Sequence, residues 1–224
     1  MKGFIGARQT TLASEISITG TGVHSGAPVS IILYPADGDT GLRFLLSNGD
    51  SESTEISADQ RYVTGVTLCT VLGDGNGASV ATVEHLLAAL RGLGVDNALI
   101  EIDSAEVPIM DGSSAQFVEA IDEVGLVELD APRRYLKVLK TVTVEDAGAQ
   151  GELSPHNGFR LDVEIDFDCA MIGRQRIEID LNPGSFRREL SRARTFGFMK
   201  DVERLWAAGF ALGASLENTV AIGD

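Results

Sequence analysis

Apolar and charged positions alternate most cleanly between Phe159 and Phe167. There Phe159, Leu161, Val163, Ile165 and Phe167 interleave with Arg160, Asp162, Glu164 and Asp166. A period of two predicts a half-buried strand, and Ile177, Ile179 and Leu181 repeat it. Upstream, Thr10 to Gly20 is β-like and Val29 to Tyr34 is a strand ended by Pro35. The Gly-rich bend Gly20-Thr21-Gly22-Val23-His24-Ser25-Gly26 joins them as a broad hairpin. Residues 37–60 read as polar and turn-rich, and Tyr62 to Leu72 as a strand or pair of strands. Asp74-Gly75-Asn76-Gly77 is a hairpin turn signal.

Helical spacing appears first from Thr82, a natural N-cap. Val83, Leu86, Leu87, Leu90 and Leu93 form one apolar stripe that Gly92 and Gly94 close. A strand is predicted over Asn97 to Asp103 and a turn over Val107 to Gly112. Ser113 with Gln116 then reads as a capping box opening a helix that carries Phe117, Val118, Ile121 and Val124 and ends at Gly125. Asp130-Ala131-Pro132-Arg133-Arg134 reads as a linker. Beyond it, strands are expected over Tyr135 to Val144 and Glu217 to Ile222, a helix over Ser185 to about Ala193, and a short helix with Val202, Leu205 and Trp206 ending at Gly209.

The order strands, helix, strand, helix over 1–130 begins again over 131–224, with an insert at about 196–213. Two α+β domains of similar plan are therefore expected. The second lacks its last helix, so the chain is expected to stop short of a longer protein.

Composition narrows the class. With 44% hydrophobic and 23% charged residues the chain is that of a soluble globular protein. It has no apolar run of about 18 residues and hence no transmembrane helix, and its N-terminus lacks the apolar core of a signal peptide. Cys69 and Cys169 are too far apart to suggest a disulfide framework. A cytoplasmic location is expected. A formal charge of −15 argues against non-specific nucleic-acid binding. One basic cluster stands out, Arg187, Arg188, Arg192 and Arg194 with Lys200 and Arg204 following. It is either a solvated helix face or an anion-facing surface.

Of the three histidines, His156 sits in a turn and is expected at the surface. His85 follows Glu84 at the head of the first helix. An acid there is favoured by the helix dipole alone. The same pair also suits a metal hydrolase, in which an imidazole holds the metal and a carboxylate takes a proton from water. The Gly-rich approach, the small Ala88 and Ala89, and the acid-bearing turn Met110-Asp111-Gly112-Ser113-Ser114 favour the second reading. Such a site needs further ligands. The chain offers no His-x-x-x-His or His-x-x-x-Asp, and the spacing of Cys69, His24 and the aspartates does not assemble them.

Five segments carry a resemblance: Gly22-Val23-His24-Ser25-Gly26; Thr82-Val83-Glu84-His85-Leu86-Leu87-Ala88-Ala89-Leu90; Gly92-Leu93-Gly94-Val95-Asp96-Asn97; Val107-Pro108-Ile109-Met110-Asp111-Gly112-Ser113; and Leu190-Ser191-Arg192-Ala193-Arg194-Thr195-Phe196-Gly197-Phe198. In this order they resemble the UDP-3-O-acyl-N-acetylglucosamine deacetylase family, along essentially the whole chain. The resemblance implies a Zn2+ amidase that removes acetate from the 2-acetamido group of UDP-3-O-acyl-N-acetylglucosamine, the committed step of lipid A biosynthesis. It implies His85 as a zinc ligand, Glu84 as the general base and Thr195 as the hydroxyl at the oxyanion. His24 and Phe196 would line the sugar and phosphate, and Asp166 and Phe167 the nucleotide, with Cys69 also touching substrate. Met199, Val202 and Ala211 would line an acyl passage. Phe198, Leu205, Trp206, Phe210 and Leu212 make that stretch apolar; a small helix docked on its own core would look the same.

The fold implied is α+β in two similar halves, each a mostly antiparallel sheet packed on two helices, with the helices sandwiched between the sheets. The family's remaining zinc ligands and its general acid would fall past residue 224. A monomer without integral membrane segment or nucleic-acid partner is expected. The alternative is an inactive fragment, or a non-catalytic protein that binds a nucleotide-sugar or acyl ligand in the same cleft.

Overall fold

The computed structural model describes residues 6–47 and 53–223. The N-terminal stretch through Ile5, read above as no signal peptide, lies outside them, as do residues 48–52 of the stretch read as polar and turn-rich. The protein is α+β with mostly antiparallel sheets, as expected. Strands β1 (Arg8–Leu12), β2 (Ile16–Thr21), β3 (Pro28–Pro35), β4 (Leu42–Leu46), β5 (Thr54–Ser57), β6 (Val63–Gly65), β7 (Val71–Gly73) and β8 (Ser79–Val80) precede helix α1 (Glu84–Leu93). Strand β9 (Ala98–Ile102), helix α2 (Ala115–Val124) and strand β10 (Leu126–Pro132) follow.

The central sheet has the order β2-β3-β9-β4-β5. All its pairs are antiparallel except β4 with β9. Alternation explains its buried face: Val29, Ile31 and Leu33 on β3, Leu42, Phe44 and Leu46 on β4, and Ala98, Ile100 and Ile102 on β9. Against that face α1 sets Leu86, Ala89, Leu90 and Leu93, and α2 sets Phe117, Val118 and Ile121. Each large side chain so buried stabilises the fold by roughly 1.5–3 kcal/mol.

Beyond β10 the chain forms two antiparallel hairpins, β11 (Val142–Asp146) with β12 (Ala149–Leu153) and β13 (Arg160–Asp166) with β14 (Arg174–Asp180). A short helix α3 (Pro183–Ser185) leads into a π-helical turn at Phe186–Leu190. Strands β15 (Phe196–Phe198) and β16 (Val220–Ile222) pair in parallel around α4 (Val202–Ala207). This half docks on the first through Phe186, which belongs to the main core. A Cβ on Gly92 would lie 2.5 Å from the Phe186 ring, so only glycine leaves α1 a notch for it. No helix among the described residues is long and apolar enough to cross a membrane.

Several local expectations are corrected. Residues 37–60 contain β4 and β5, both hidden by the turn residues around them. Thr82 is not an N-cap: it has φ +57 and its hydroxyl donates to Glu106, while α1 starts without a side-chain cap. The Ser113–Gln116 capping box is absent, because the Ser113 hydroxyl donates to Asp111 and accepts from the Ala115 N–H. The expected linker is the end of β10, and Arg133 after it is locked to Asp96. Residues 135–141 are not a strand. The β13–β14 hairpin is exposed rather than half-buried, with Val163 at 48% and Ile177 at 38% exposure.

Candidate active site

Helix α1 begins at Glu84, so the half-buried Glu84 and His85 side chains stand at its first turn. The sequence enters that turn through the left-handed Thr82 and the buried Val83. Glu84 is fixed from the β6–β7 loop, where the Thr70 N–H donates to its Oε2 at 3.0 Å. Cys69 adjoins that donor and is half-buried.

His85 is tied from behind. The Ser114 hydroxyl donates to its carbonyl at 2.9 Å, joining the heads of α1 and α2. Burial pushes the imidazole below its ordinary range. The carboxylates of Glu84 and Asp111 pull the other way without reversing the shift. A neutral imidazole is the form that can donate a lone pair to a metal.

Thr195 arrives from the second half. Its N–H donates to the Gly112 carbonyl at 2.8 Å, and its carbonyl accepts from Val220 at 3.0 Å. Arg194 clamps the same junction, with Nε to the Asp111 carbonyl at 2.8 Å and Nη2 to the Glu217 carbonyl at 2.6 Å. Gly112 makes this approach possible at φ +83, where a Cβ would lie 2.0 Å from the Asn218 carbonyl oxygen. Gly112→Ala is expected to lower stability by about 1–3 kcal/mol through that strain and clash, measured as a shift in chemical denaturation. An unchanged midpoint would contradict the close approach.

Next to Thr195, Phe196 meets Phe167 edge-on at 5.4 Å and Phe198 at 5.9 Å, and Lys200 sits 5.3 Å from the Phe198 ring centroid. Asp166 ends β13 beside this cluster and pairs in register with Arg174. On the other flank the His24 ring stands edge-on to Phe210 at 5.3 Å, and its Nδ1 accepts from the Ala211 N–H at 3.4 Å. Met199 is exposed, and Val202 is half-buried at the start of α4.

The structure thus links Thr195 to the head of α1 only indirectly, through Gly112 and through Ser114 two residues on, whose hydroxyl holds the His85 carbonyl; it gathers Phe167 with Phe196 and sets His24 against Ala211. The basic cluster does not converge on one anion. Arg187 pairs with Asp122, Arg188 lies near Glu189, and Arg194 is spent on backbone carbonyls. His156 is at the surface, 3.5 Å from Asp180.

Three contributors escaped the sequence reading. Thr70 acts through its backbone, which no side-chain pattern reveals. Ser114 was read only as part of a turn. Glu106 receives bonds from His24, Ser25 and Thr82; its one signal is a lone acid beside the apolar run Val107-Pro108-Ile109.

A carboxylate and an imidazole that burial shifts toward its neutral form stand side by side at the head of a helix on an α+β scaffold, an arrangement that suits a hydrolase. The chain belongs to the UDP-3-O-acyl N-acetylglycosamine deacetylase family, whose model matches residues 9–224. It is 52% identical over 218 residues to proteins named UDP-3-O-acyl-N-acetylglucosamine deacetylase from Brucella ovis and Brucella canis. The match to each covers 97% of this chain and 76% of the relative. The relative of the same name from Brucella melitensis is similar to the same extent.

Proposed function

We propose that the protein hydrolyses the 2-acetamido group of UDP-3-O-acyl-N-acetylglucosamine to acetate and a free amine, the committed step of lipid A biosynthesis, in the cytoplasm. The observation that supports this most is the Glu84 carboxylate, oriented by Thr70, beside an imidazole that burial shifts toward its neutral form. In this reading water adds to the acetamide carbon and loses its proton to Glu84. The C–N bond then breaks, and the amine leaves with a proton. The Thr195 hydroxyl donates to the carbonyl oxygen as negative charge builds there.

His24 and Phe196 would take the sugar and phosphate side, Asp166 and Phe167 the nucleotide, and Cys69 a further contact with substrate. Met199, Val202 and Ala211 would line the passage for the acyl chain. On this reading 1–130 carries Glu84 and His85 as one domain, and 131–224 the substrate-facing residues as another.

Zinc, which the family resemblance implies, would acidify water and polarise the amide. His85 is the donor this chain would supply. Among the described residues no three His, Cys, Asp or Glu group as a metal site. Among those residues His85 thus lacks the partners that would complete a zinc centre. Zinc titration of the 224-residue chain, followed by calorimetry, is therefore expected to give no tight stoichiometric site. A tight one would show that other residues complete the set.

The test of function is acetate release from UDP-3-O-acyl-N-acetylglucosamine. It is made on the chain extended by the part of the Brucella ovis relative that the match does not cover. Release that depends on Glu84 is the expected result. No release from a folded, zinc-loaded protein would overturn the reading.

A further inference from the structure

Glu106 is almost fully buried, at 3% exposure, in the segment between β9 and α2. Its Oε1 accepts from the His24 N–H at 2.9 Å and from the Thr82 hydroxyl at 3.0 Å. Its Oε2 accepts from the Ser25 N–H at 2.8 Å and the Ser25 hydroxyl at 2.5 Å. One carboxylate therefore holds both the Gly22–Gly26 loop and the left-handed residue two positions before Glu84.

The loop in turn holds the segment after α4. Leu212 and Gly213 donate their N–H groups to the His24 and Val23 carbonyls at 3.1 and 3.0 Å. The His24 ring meets Phe210 and Ala211. There is no slack at either contact. A Cβ on Gly22 would lie 2.2 Å from Glu106 Oε2, and one on Gly213 would lie 2.2 Å from the Gly22 carbonyl oxygen. In so close-packed a stack, moving the loop moves both neighbours.

We propose that Glu106 is a positioning residue that sets the place of the Phe210–Gly213 segment relative to the head of helix α1, through the His24 loop. The assignment of that segment to the acyl chain rests on the function proposed above; the mechanical link does not.

Hydrogen–deuterium exchange on the 224-residue chain tests the link. Glu106→Gln keeps the shape but turns an acceptor into a donor facing donors. It is expected to speed exchange at Phe210–Gly213 about ten-fold or more, while peptides from β3, β9 and α1 stay protected. Trp206, the single tryptophan, donates to the Ala211 carbonyl at 3.1 Å, so its quenching by acrylamide is expected to rise as well.

Equal protection of Phe210–Gly213 in both proteins overturns the proposal, as does uniform acceleration over the whole chain, the mark of a merely structural residue. Should Glu106→Gln not fold, Ser25→Ala removes one of the four bonds and is expected to give a smaller local acceleration; none would overturn the proposal. In the extended enzyme, Glu106→Gln should raise KM for a long-acyl substrate more than for a short-acyl one at similar kcat. A wild-type enzyme without deacetylase activity would remove the acyl reading and leave the exchange result to decide the link.

Discussion

Glu84→Gln is expected to lower kcat for acetate release about 10²–10⁴-fold, the usual worth of a positioned general base, with little change in KM. Glutamine retains an oxygen that accepts from the Thr70 N–H, so the side chain stays in place while its ability to hold a proton is lost. Because Glu84 is only half-buried and glutamine keeps its one bond, the replacement should leave stability within about 0.5 kcal/mol. The measurement is steady-state acetate release by the extended enzyme, with denaturation as the control. A variant that kept more than a tenth of the wild-type kcat would assign the base to another group.

The largest effect on stability is expected at Asp96. Its carboxylate accepts from Arg133 Nη2 at 2.5 Å and Nε at 2.9 Å, and from the Thr10 N–H at 2.8 Å. The Arg133 side chain is 5% exposed and that of Asp96 13%, so solvent screens the pair little. Arg133 also donates to the carbonyls of Gly94 and Gly6. The cluster thereby ties β1, the end of α1 and the end of β10. Asp96→Ala leaves a buried guanidinium without its counter-charge and is expected to cost about 3–5 kcal/mol, a large share of the roughly 5–15 kcal/mol that stabilises a domain. Urea denaturation reads this directly. Asp96→Ala combined with Arg133→Met should recover part of the loss, because the stranded charge is then gone. A single variant that lost less than about 1 kcal/mol would mean that water reaches the pair freely.

Both helices of the first half were legible because their apolar stripes exceed two turns, and the β2–β3 and β7–β8 hairpins because glycine-rich turns mark them. Strand β4 was not, although Leu42, Phe44 and Leu46 alternate as they should: it lies between Asp37-Gly38-Asp39 and Ser47-Asn48-Gly49, and turn residues dominate any window that spans it. Thr82 is the usual residue type for an N-cap, but a buried carboxylate competes for its hydroxyl and the local preference loses. The alternation over β13 was read correctly as a strand, whereas its burial depends on neighbours that periodicity does not contain. At the candidate site, Glu84 and His85 stood out because they are adjacent. Glu106 did not, because three of its four bonds come from a loop more than eighty positions away, two of them from backbone N–H groups. Patterns within one segment show what a residue can do locally; a long-range bond to a loop backbone leaves no mark there.

Every buried residue of the main core but Phe186 lies at or before Ile121. Domains generally fold N-terminal first as the chain leaves the ribosome, at about 5–20 residues per second. The first half can thus complete most of its interior while the remainder is still being translated, leaving the notch at Gly92 to be filled later. Phe186 then binds to a surface already made rather than joining a collapse in progress. The bond from Thr195 to the Gly112 carbonyl is consequently a late event in biogenesis, made after the scaffold that holds Glu84 and His85 is finished.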